Sequence, residues 1–420
     1  MLHPTIHVKR PVTNYFQGFK GKKQERFFLF ALAGIQFTHI LDFMVMMPLG
    51  PEFIRVLNIN THQFGLLLSS YTFAAAIAGV FATYFVDRFE RRNLLLSLYA
   101  CFILATFACA LAPDYQSLFI ARACAGTFGG ILGSLVQTIV ADSIAYERRG
   151  KAIGIVMSAF SVSTVAGVPL SLFLSDYIPS LGWRAPFIFI AAISLAILYL
   201  GYRNIPQIRG HLNQVHEGSR LKQILNVFVS HHHLRAFLFI ALIMLTGFTV
   251  IPYIALYLTS NVGIDNSYIP LVYLCGGLAT LMSSRFIGHL ADRYGKVKVF
   301  KVLAILSLVP ILITTNLTPI PLWAVLINST AFFVLVSGRM IPAMAIVTQM
   351  VDNKIRGTFM SLIGSVQMLA SGLASVIAGA IVTIGPDGKM EHYNLVGFGA
   401  AVCGLLTFYL VRYIHSDKAI

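Results

Sequence analysis

Charge is what this chain has least of. Only 11% of its 420 residues are charged while 57% are hydrophobic, and a soluble domain carries about 25% charged residues. That shortage excludes an ordinary water-soluble globule. Cysteine is scarce as well. The five (Cys101, Cys109, Cys124, Cys275, Cys403) are odd in number, lie inside apolar runs and show no metal-ligand spacing. Neither a disulfide framework nor a zinc site is expected, and the thiols are read as reduced packing residues. No G-x-x-x-x-G-K-[ST] stretch occurs, which argues against ATP hydrolysis. No nucleophile–base pair or ligand cluster emerges either, so no enzyme chemistry, metal or cofactor is expected. No short apolar run followed by small residues opens the chain, so no cleavable signal peptide is expected.

Long apolar runs stand where charge is missing. Twelve are read, at about 27–50, 62–86, 93–112, 115–140, 151–178, 184–203, 234–260, 268–290, 298–317, 321–350, 357–384 and 392–413, each near the ~20 residues that a helix needs to cross a bilayer. The expected fold is an all-α polytopic membrane protein with twelve transmembrane helices in two pseudo-symmetric six-helix bundles. A formal net charge of +15 would suit nucleic acid, but its placement argues against that partner. Of the 31 basic residues, about 25 lie on the side of the N-terminal tail. Only Arg55, Arg184 and Lys389 fall in or at the edge of links on the other side. This is the positive-inside pattern, which places both termini in the cytoplasm. The organisation follows as a tail (1–26), a bundle (27–203), a central link (204–233), a second bundle (234–413) and a tail (414–420). Within the central link, Leu221, Ile224, Leu225 and Phe228 suit an amphipathic piece on the membrane. His231-His232-His233 lacks Cys or carboxylate partners and is read as a solvated cluster rather than a metal site.

Two knots of charge interrupt the apolar pattern at equivalent places. Thr83–Arg92 (TYFVDRFERR) follows the second run and Gly288–Val297 (GHLADRYGKV) the eighth. Asp87 aligns with Asp292, Arg149-Gly150 with Arg356-Gly357, and Pro48 with Pro252, at offsets of about 205 residues. Repeats of this kind build many transporter folds, with a substrate site between the halves near mid-membrane.

A few polar residues lie inside the runs, where charge is costly and normally faces a cavity or a partner. Asp42, in FTHILDFMVMMPLGP, sits about nine residues from the end near Pro51, roughly 13 Å along a helix. Arg122, in LFIARACAGTFGG, sits about seven residues from the same face, roughly 10 Å. Equal depth makes them natural partners. Asp42 is read as a proton-coupling or substrate residue, with a static ion pair as the alternative. His39 shares its helix face and is either a packing histidine or a second titrating group. Arg339 and Gln367 are the polar residues placed near a cavity in the second half. Phe43, Met44, Met46, Met47, Phe248 and Tyr253 are candidates for an adaptable apolar lining, or for plain packing.

With these residues in view, nearly the whole chain resembles the major facilitator superfamily, and within it the twelve-helix drug:proton antiporter branch with its arabinose-efflux-type permeases. The family's loop motif, G-x-x-x-D-R-x-G-R-[RK], is matched in the second knot by Gly288, Asp292, Arg293, Gly295 and Lys296. The first knot keeps Asp87, Arg88, Arg91 and Arg92, with Thr83 and Glu90 where glycines are usual. The R-x-x-x-G motif of the fourth helix matches at Arg122 and Gly126. The fifth helix keeps Gly167 and Pro169 of a glycine-rich antiporter motif, without its trailing glycines. DSIAYERRGKA (Asp142–Ala152) and GWRAPF (Gly182–Phe187) also resemble this branch.

The resemblance implies conformational gating by the two knots, with Asp87 facing the helix start at Gly357 and Asp292 the one at Lys151. It also implies bending and close packing at Gly126, Gly167 and Pro169. The function expected is proton-coupled export of a small amphipathic or sugar-like compound by alternating access, by a monomer in a bacterial inner membrane. Import by symport or facilitated diffusion, and a transport-incompetent sensor or scaffold, are the alternatives.

Overall fold

The computed structural model describes residues 21–209, 212, 230–351 and 356–416. The tail to residue 20, the last four residues and the amphipathic piece of the central link lie outside them. Among the described residues, twelve helices are long and apolar enough to cross a membrane, as the hydropathy pattern predicts. They are span 1 (Lys23–Val45), span 2 (Thr61–Ala82), span 3 (Arg91–Leu111), span 4 (Tyr115–Ser143), span 5 (Arg148–Tyr177) and span 6 (Arg184–Asn204), then span 7 (His231–Val262), span 8 (Asn266–Tyr294), span 9 (Lys296–Thr315), span 10 (Leu322–Gln349), span 11 (Gly357–Ile381) and span 12 (Tyr393–Ile414). The outer surface is apolar, with Phe30, Ile77, Leu104, Ile327 and Trp323 exposed. So much apolar surface is stable against hydrocarbon rather than water. The protein is an integral, multi-pass membrane protein.

Twelve crossings bring the ends of the bundle to one face, here called the terminal face, and the odd-numbered links to the opposite face. Local chemistry sets the starts of the helices there. Asn60 and Gln63 form a capping box at span 2, as do Asp114 and Ser117 at span 4. Asp114 accepts from the Ser117 N–H at 2.8 Å. That bond and the Ser117 hydroxyl hold its carboxyl below the ordinary range. A depressed folded-state value means that the contribution is present at neutral pH and lost as pH falls through that value. Asp114→Ala is therefore expected to speed amide exchange at Ser117 at neutral pH. Hydrogen exchange measured across pH checks this, with wild type and variant converging in acid.

Several spans are broken where sequence alone ran them straight. Span 1 ends at Val45, and a turn at Met46–Leu49 containing Pro48 leads into a short helix, Gly50–Leu57. That helix is pinned by Glu52, which accepts from Trp183 N and from Ser175 Oγ, both at 2.8 Å. Span 7 is α-helical over His231–Phe248, then passes through a tight turn, Ile251–Tyr253, holding Pro252. The two prolines matched by the repeat thus occupy matched breaks, as residues without an N–H should. Span 5 widens into a π turn at Ser163–Gly167, just before Pro169. Span 10 breaks at Gly338–Arg339, with no proline at the break itself. The all-α expectation needs one small amendment. Strands β1 (Thr383–Ile384) and β2 (Met390–Glu391) pair antiparallel in the last link, where span 11 had been expected to continue to 384.

The buried apolar residues show how the halves meet. One cluster includes Val45, Phe64 and Trp183 of the first half with Tyr253, Val272 and Ala378 of the second, all toward the opposite face. Two others are built from buried residues of one half each, around Phe28, Tyr99 and Ile139 and around Phe237, Phe300 and Ile363. The halves share a core at the opposite face and separate cores toward the terminal face.

Candidate functional site

Span 1 delivers Asp42 and span 4 delivers Arg122 to one point, both fully buried. Arg122 Nη1 donates to Asp42 Oδ2 at 2.7 Å, and Nη2 donates to the Asp42 backbone carbonyl at 3.3 Å. Thr106 of span 3 donates to Asp42 Oδ1 at 3.3 Å. The guanidinium also lies over the Tyr71 ring at 4.6 Å and the Phe187 ring at 5.8 Å. Those rings hold a cation electrostatically even when no carboxylate faces it. Gly126 is what lets spans 2 and 4 approach so closely, since a Cβ there would fall 2.1 Å from the Tyr71 carbonyl oxygen. Gly167 does the same for span 5 against Leu41 of span 1. Phe43, next to Asp42, stacks on Tyr71 and meets Phe248 of the second half, with ring centres 5.5 and 6.0 Å apart. The ion pair therefore stands beside the junction of the halves.

His39 is nearly buried one turn along span 1, with Gln36 one turn beyond it. In the second half, Arg339 is completely buried at the break in span 10. Its Nη2 donates to the Ile243 carbonyl of span 7 at 3.2 Å, and no carboxylate pairs with it among the described residues. Gln367 of span 11 lies against the sulfur of Met344, 3.6 Å away. Among the described residues, no hydrogen bond or ion pair joins Arg339 or Gln367 to the Asp42–Arg122 pair. Met46, Met47 and Tyr253, candidate lining residues, are packed in the shared core instead, while Phe43, Met44 and Phe248 are partly buried at its edge.

At the opposite face the halves are sealed. Tyr253 of span 7 donates toward the carbonyl oxygens of Thr61 (3.2 Å) and Ser375 (3.1 Å), so one hydroxyl joins span 7 to spans 2 and 11. Thr61 Oγ1 in turn donates to the Val382 carbonyl at the end of span 11. Glycines let the helices close, because a Cβ on Gly65 would fall 2.5 Å from the Ser375 oxygen. Spans 5 and 8 meet likewise at Thr164 and Gly277. A cleft of about 350 Å³ between Glu52, Arg55 and Asp176 and Asn266 of the other half lies on the same face, apart from Asp42. Toward the terminal face the two halves keep separate buried cores, and spans 2 and 11 still meet, since a Cβ on Gly79 would fall 2.7 Å from Ser365 Oγ. Cβ atoms added at Gly150, Gly154, Gly288, Gly357 or Gly364 would meet nothing within 4 Å.

The charge knots sit on that face, where Arg88, Arg91 and Arg92 have partners in their own half. Arg91 donates to Asp142 Oδ2 and to the Val86 carbonyl, both at 3.2 Å, fastening span 3 to span 4. Arg92 donates to the Tyr202 carbonyl at 2.6 Å and lies over that ring. Arg88 lies over the Tyr84 ring at 4.6 Å. Glu90 accepts from the N–H groups of Arg92 and Asn93, capping span 3, and from that of Ile208. A glycine could do none of this, which explains the departure from the motif. The Asp87 side chain lies outside the described residues. Asp292 is exposed, and among the described residues no ion pair is formed by Asp292, Arg293 or Lys296. Residues that the sequence did not single out are Thr106 and Tyr71 around the ion pair, Gln36, and Thr61 in the seal, where Tyr253, read from sequence as pocket lining, also lies. Gln36 carried a signal, the three-residue spacing 36, 39, 42 along one helix face.

Comparison with known proteins agrees with this architecture. The family model described as Major Facilitator Superfamily matches residues 32–252 and 236–419. A probable sugar efflux transporter of Pasteurella multocida is 24% identical over 422 residues, covering 96% of each protein. Multidrug resistance protein 2 of Bacillus subtilis is 26% identical over 173 residues, 41% of this chain and 42% of that one. Among solved structures, a D-xylose-proton symporter superposes with a TM-score of 0.73 at 17% identity, covering 93% of this chain and 96% of that one. At that identity the likeness concerns the fold alone.

Proposed function

From the premise that the chain belongs to the Major Facilitator Superfamily and is a membrane transporter rather than an enzyme, we propose that it is a proton-coupled exporter of a small amphipathic or sugar-like compound. The observation that carries this reading is the fully buried Asp42–Arg122 pair beside the junction of two halves that share a buried core at one face and keep separate cores toward the other. The excess of Lys and Arg assigns the terminal face to the cytoplasm. Bacterial relatives named for sugar efflux and multidrug resistance support export, and one named as an inner membrane transport protein supports that location.

The geometry suits exchange of a proton for a substrate. Ionised Asp42 holds Arg122 at 2.7 Å. A proton on that carboxylate removes the attraction and leaves the guanidinium on the faces of Tyr71 and Phe187. The site thus has two charge states, each with partners in place, and a substrate favouring one of them drives the proton off or on. Rocking of the halves, sealed at either face in turn, exposes the site to each side.

The test is proton release from purified protein on adding a neutral hexose, an alkyl thiogalactoside or the cation ethidium. Wild type is expected to release about one proton per molecule bound, and Asp42→Asn none. Equal release from both removes Asp42 from the coupling role. Proton uptake on binding instead of release identifies symport.

A further inference from the structure

We propose that the terminal end of the seam between spans 9 and 12 binds the phosphate of an anionic phospholipid, held by Lys301 and Arg412. Neither the direction nor the coupling of transport enters into it. Lys301 Nζ lies 5.7 Å from the centre of the Phe408 ring. The Arg412 guanidinium lies 5.3 Å from the same ring and 5.6 Å from that of Tyr409. A ring face attracts each cation but neutralises neither, and two like charges brought to one ring repel each other. Lys301 and Arg412 make no hydrogen bond or ion pair among the described residues. Spans 9 and 12 contain no Asp or Glu that could serve them.

The matching seam of the first half, between spans 3 and 6, is completed by the protein itself. There Arg92 lies over the Tyr202 ring much as Arg412 lies over Phe408, but it also donates to the Tyr202 carbonyl at 2.6 Å. Its neighbour Arg91 pairs with Asp142. One half thus gives its ring-bound cations an oxygen partner, and the other half leaves Lys301 and Arg412 without one. Phosphate oxygens supply that partner, in charge-assisted bonds to both side chains.

Depth and access select a lipid over a free anion. Lys301 stands roughly 7 Å into span 9 and Arg412 roughly 3 Å before the end of span 12. Both are close enough to the terminal face for a long side chain to reach headgroup level. Arg412 is exposed and Lys301 half-buried, so the leaflet reaches them. Deeper in the membrane the seam closes on glycine. A Cβ on Gly404 would fall 2.7 Å from Leu308, and one on Gly397 would overlap Thr315. One turn beyond Gly404, towards the terminal face, the seam ends on the Phe408 ring and its two cations. Ile305 and Leu405 of the same helices are exposed, an apolar surface for the chains beneath a bound headgroup. Basic sites between membrane helices on the cytoplasmic side are where anionic headgroups dock. Spans 9 and 12 pack on each other and on other helices of the second half, so a lipid here braces the edge of that half.

The test is native mass spectrometry of purified full-length protein titrated with dioleoyl phosphatidylglycerol, reading the affinity of the first lipid bound. Lys301→Gln/Arg412→Gln is expected to weaken it about thirty-fold, from about five-fold for each basic side chain near an anionic headgroup. Arg203→Gln/Arg209→Gln removes the same charge from exposed positions elsewhere on the terminal face and is expected to bind as wild type. The swap Lys301→Arg/Arg412→Lys keeps both charges and is expected to retain binding, which separates lost charge from lost fold. Dioleoyl phosphatidylcholine, with a phosphate but no net charge, is expected to bind all four proteins alike. Wild-type affinity in the Lys301/Arg412 glutamine pair, or an equal loss in the Arg203/Arg209 pair, overturns the site. Release of bound phosphatidylglycerol by millimolar inorganic phosphate overturns the lipid as its occupant.

Discussion

Arg122→Leu is expected to destabilise the folded bundle by about 3–5 kcal/mol, the usual cost of leaving one member of a buried ion pair alone. Asp42 is fully buried and depends on Arg122 for its short bond at 2.7 Å, since Thr106 supplies only a longer hydroxyl bond at 3.3 Å. Removing the guanidinium also strips the cation from the Tyr71 and Phe187 rings. Asp42→Asn is expected to cost less, because Arg122 keeps those rings and the Asp42 carbonyl. The double variant Asp42→Asn/Arg122→Gln, which leaves two neutral amides and no buried charge, is expected to recover most of the loss while abolishing proton release. Thermal unfolding in detergent gives the order, and an Arg122→Leu variant as stable as wild type would sink the account.

Gly65→Leu is expected to force the opposite face apart. A Cβ at this position already falls 2.5 Å from the Ser375 carbonyl oxygen and 2.7 Å from the Tyr253 hydroxyl. A larger side chain must displace span 11 from span 2 and break the bonds that Tyr253 makes to both. Overpacking costs about 1–3 kcal/mol, and each 1.4 kcal/mol is about ten-fold in an equilibrium. The closed-to-open ratio at this face is then expected to fall by about ten- to a hundred-fold. Spin labels at Asn58 and Lys389, both exposed on this face, report it as a lengthened distance in a cysteine-free background. An unchanged distance distribution would show that the seam at Gly65 does not set the equilibrium.

The twelve spans were legible because hydrocarbon imposes one demand, about 20 apolar residues, that composition alone displays. Their breaks were legible only where proline announced them, as at Pro48 and Pro252. The break at Gly338–Arg339 is marked in the same way by Pro342, which has no N–H to bond the Gly338 carbonyl four residues back. The partnership of Asp42 with Arg122 was readable because charge in a bilayer needs an opposite charge at equal depth, and few residues qualify. Thr106 and Tyr71 were not, since nothing in a string of letters separates one hydroxyl or ring from the 17 tyrosines and many threonines elsewhere. Glu90 read as a flaw in a motif and is a helix cap. The link from Asp292 to the helix start at Lys151 is a matter of conformation, because a contact made in one state of a moving protein need not exist in another.

The seal at the opposite face has a consequence for how the gene tolerates change. Its acceptors at Thr61, Ser375 and Val382 are main-chain carbonyls, which no missense substitution removes. Its donors are two side-chain hydroxyls, on Tyr253 and Thr61. The genetic target for weakening these bonds by loss of a donor is therefore two codons, while Ser375 and Val382 are free to vary in any side chain that still fits. A saturation library over these four positions should show intolerance at two and latitude at two, a pattern opposite to what their shared burial would suggest.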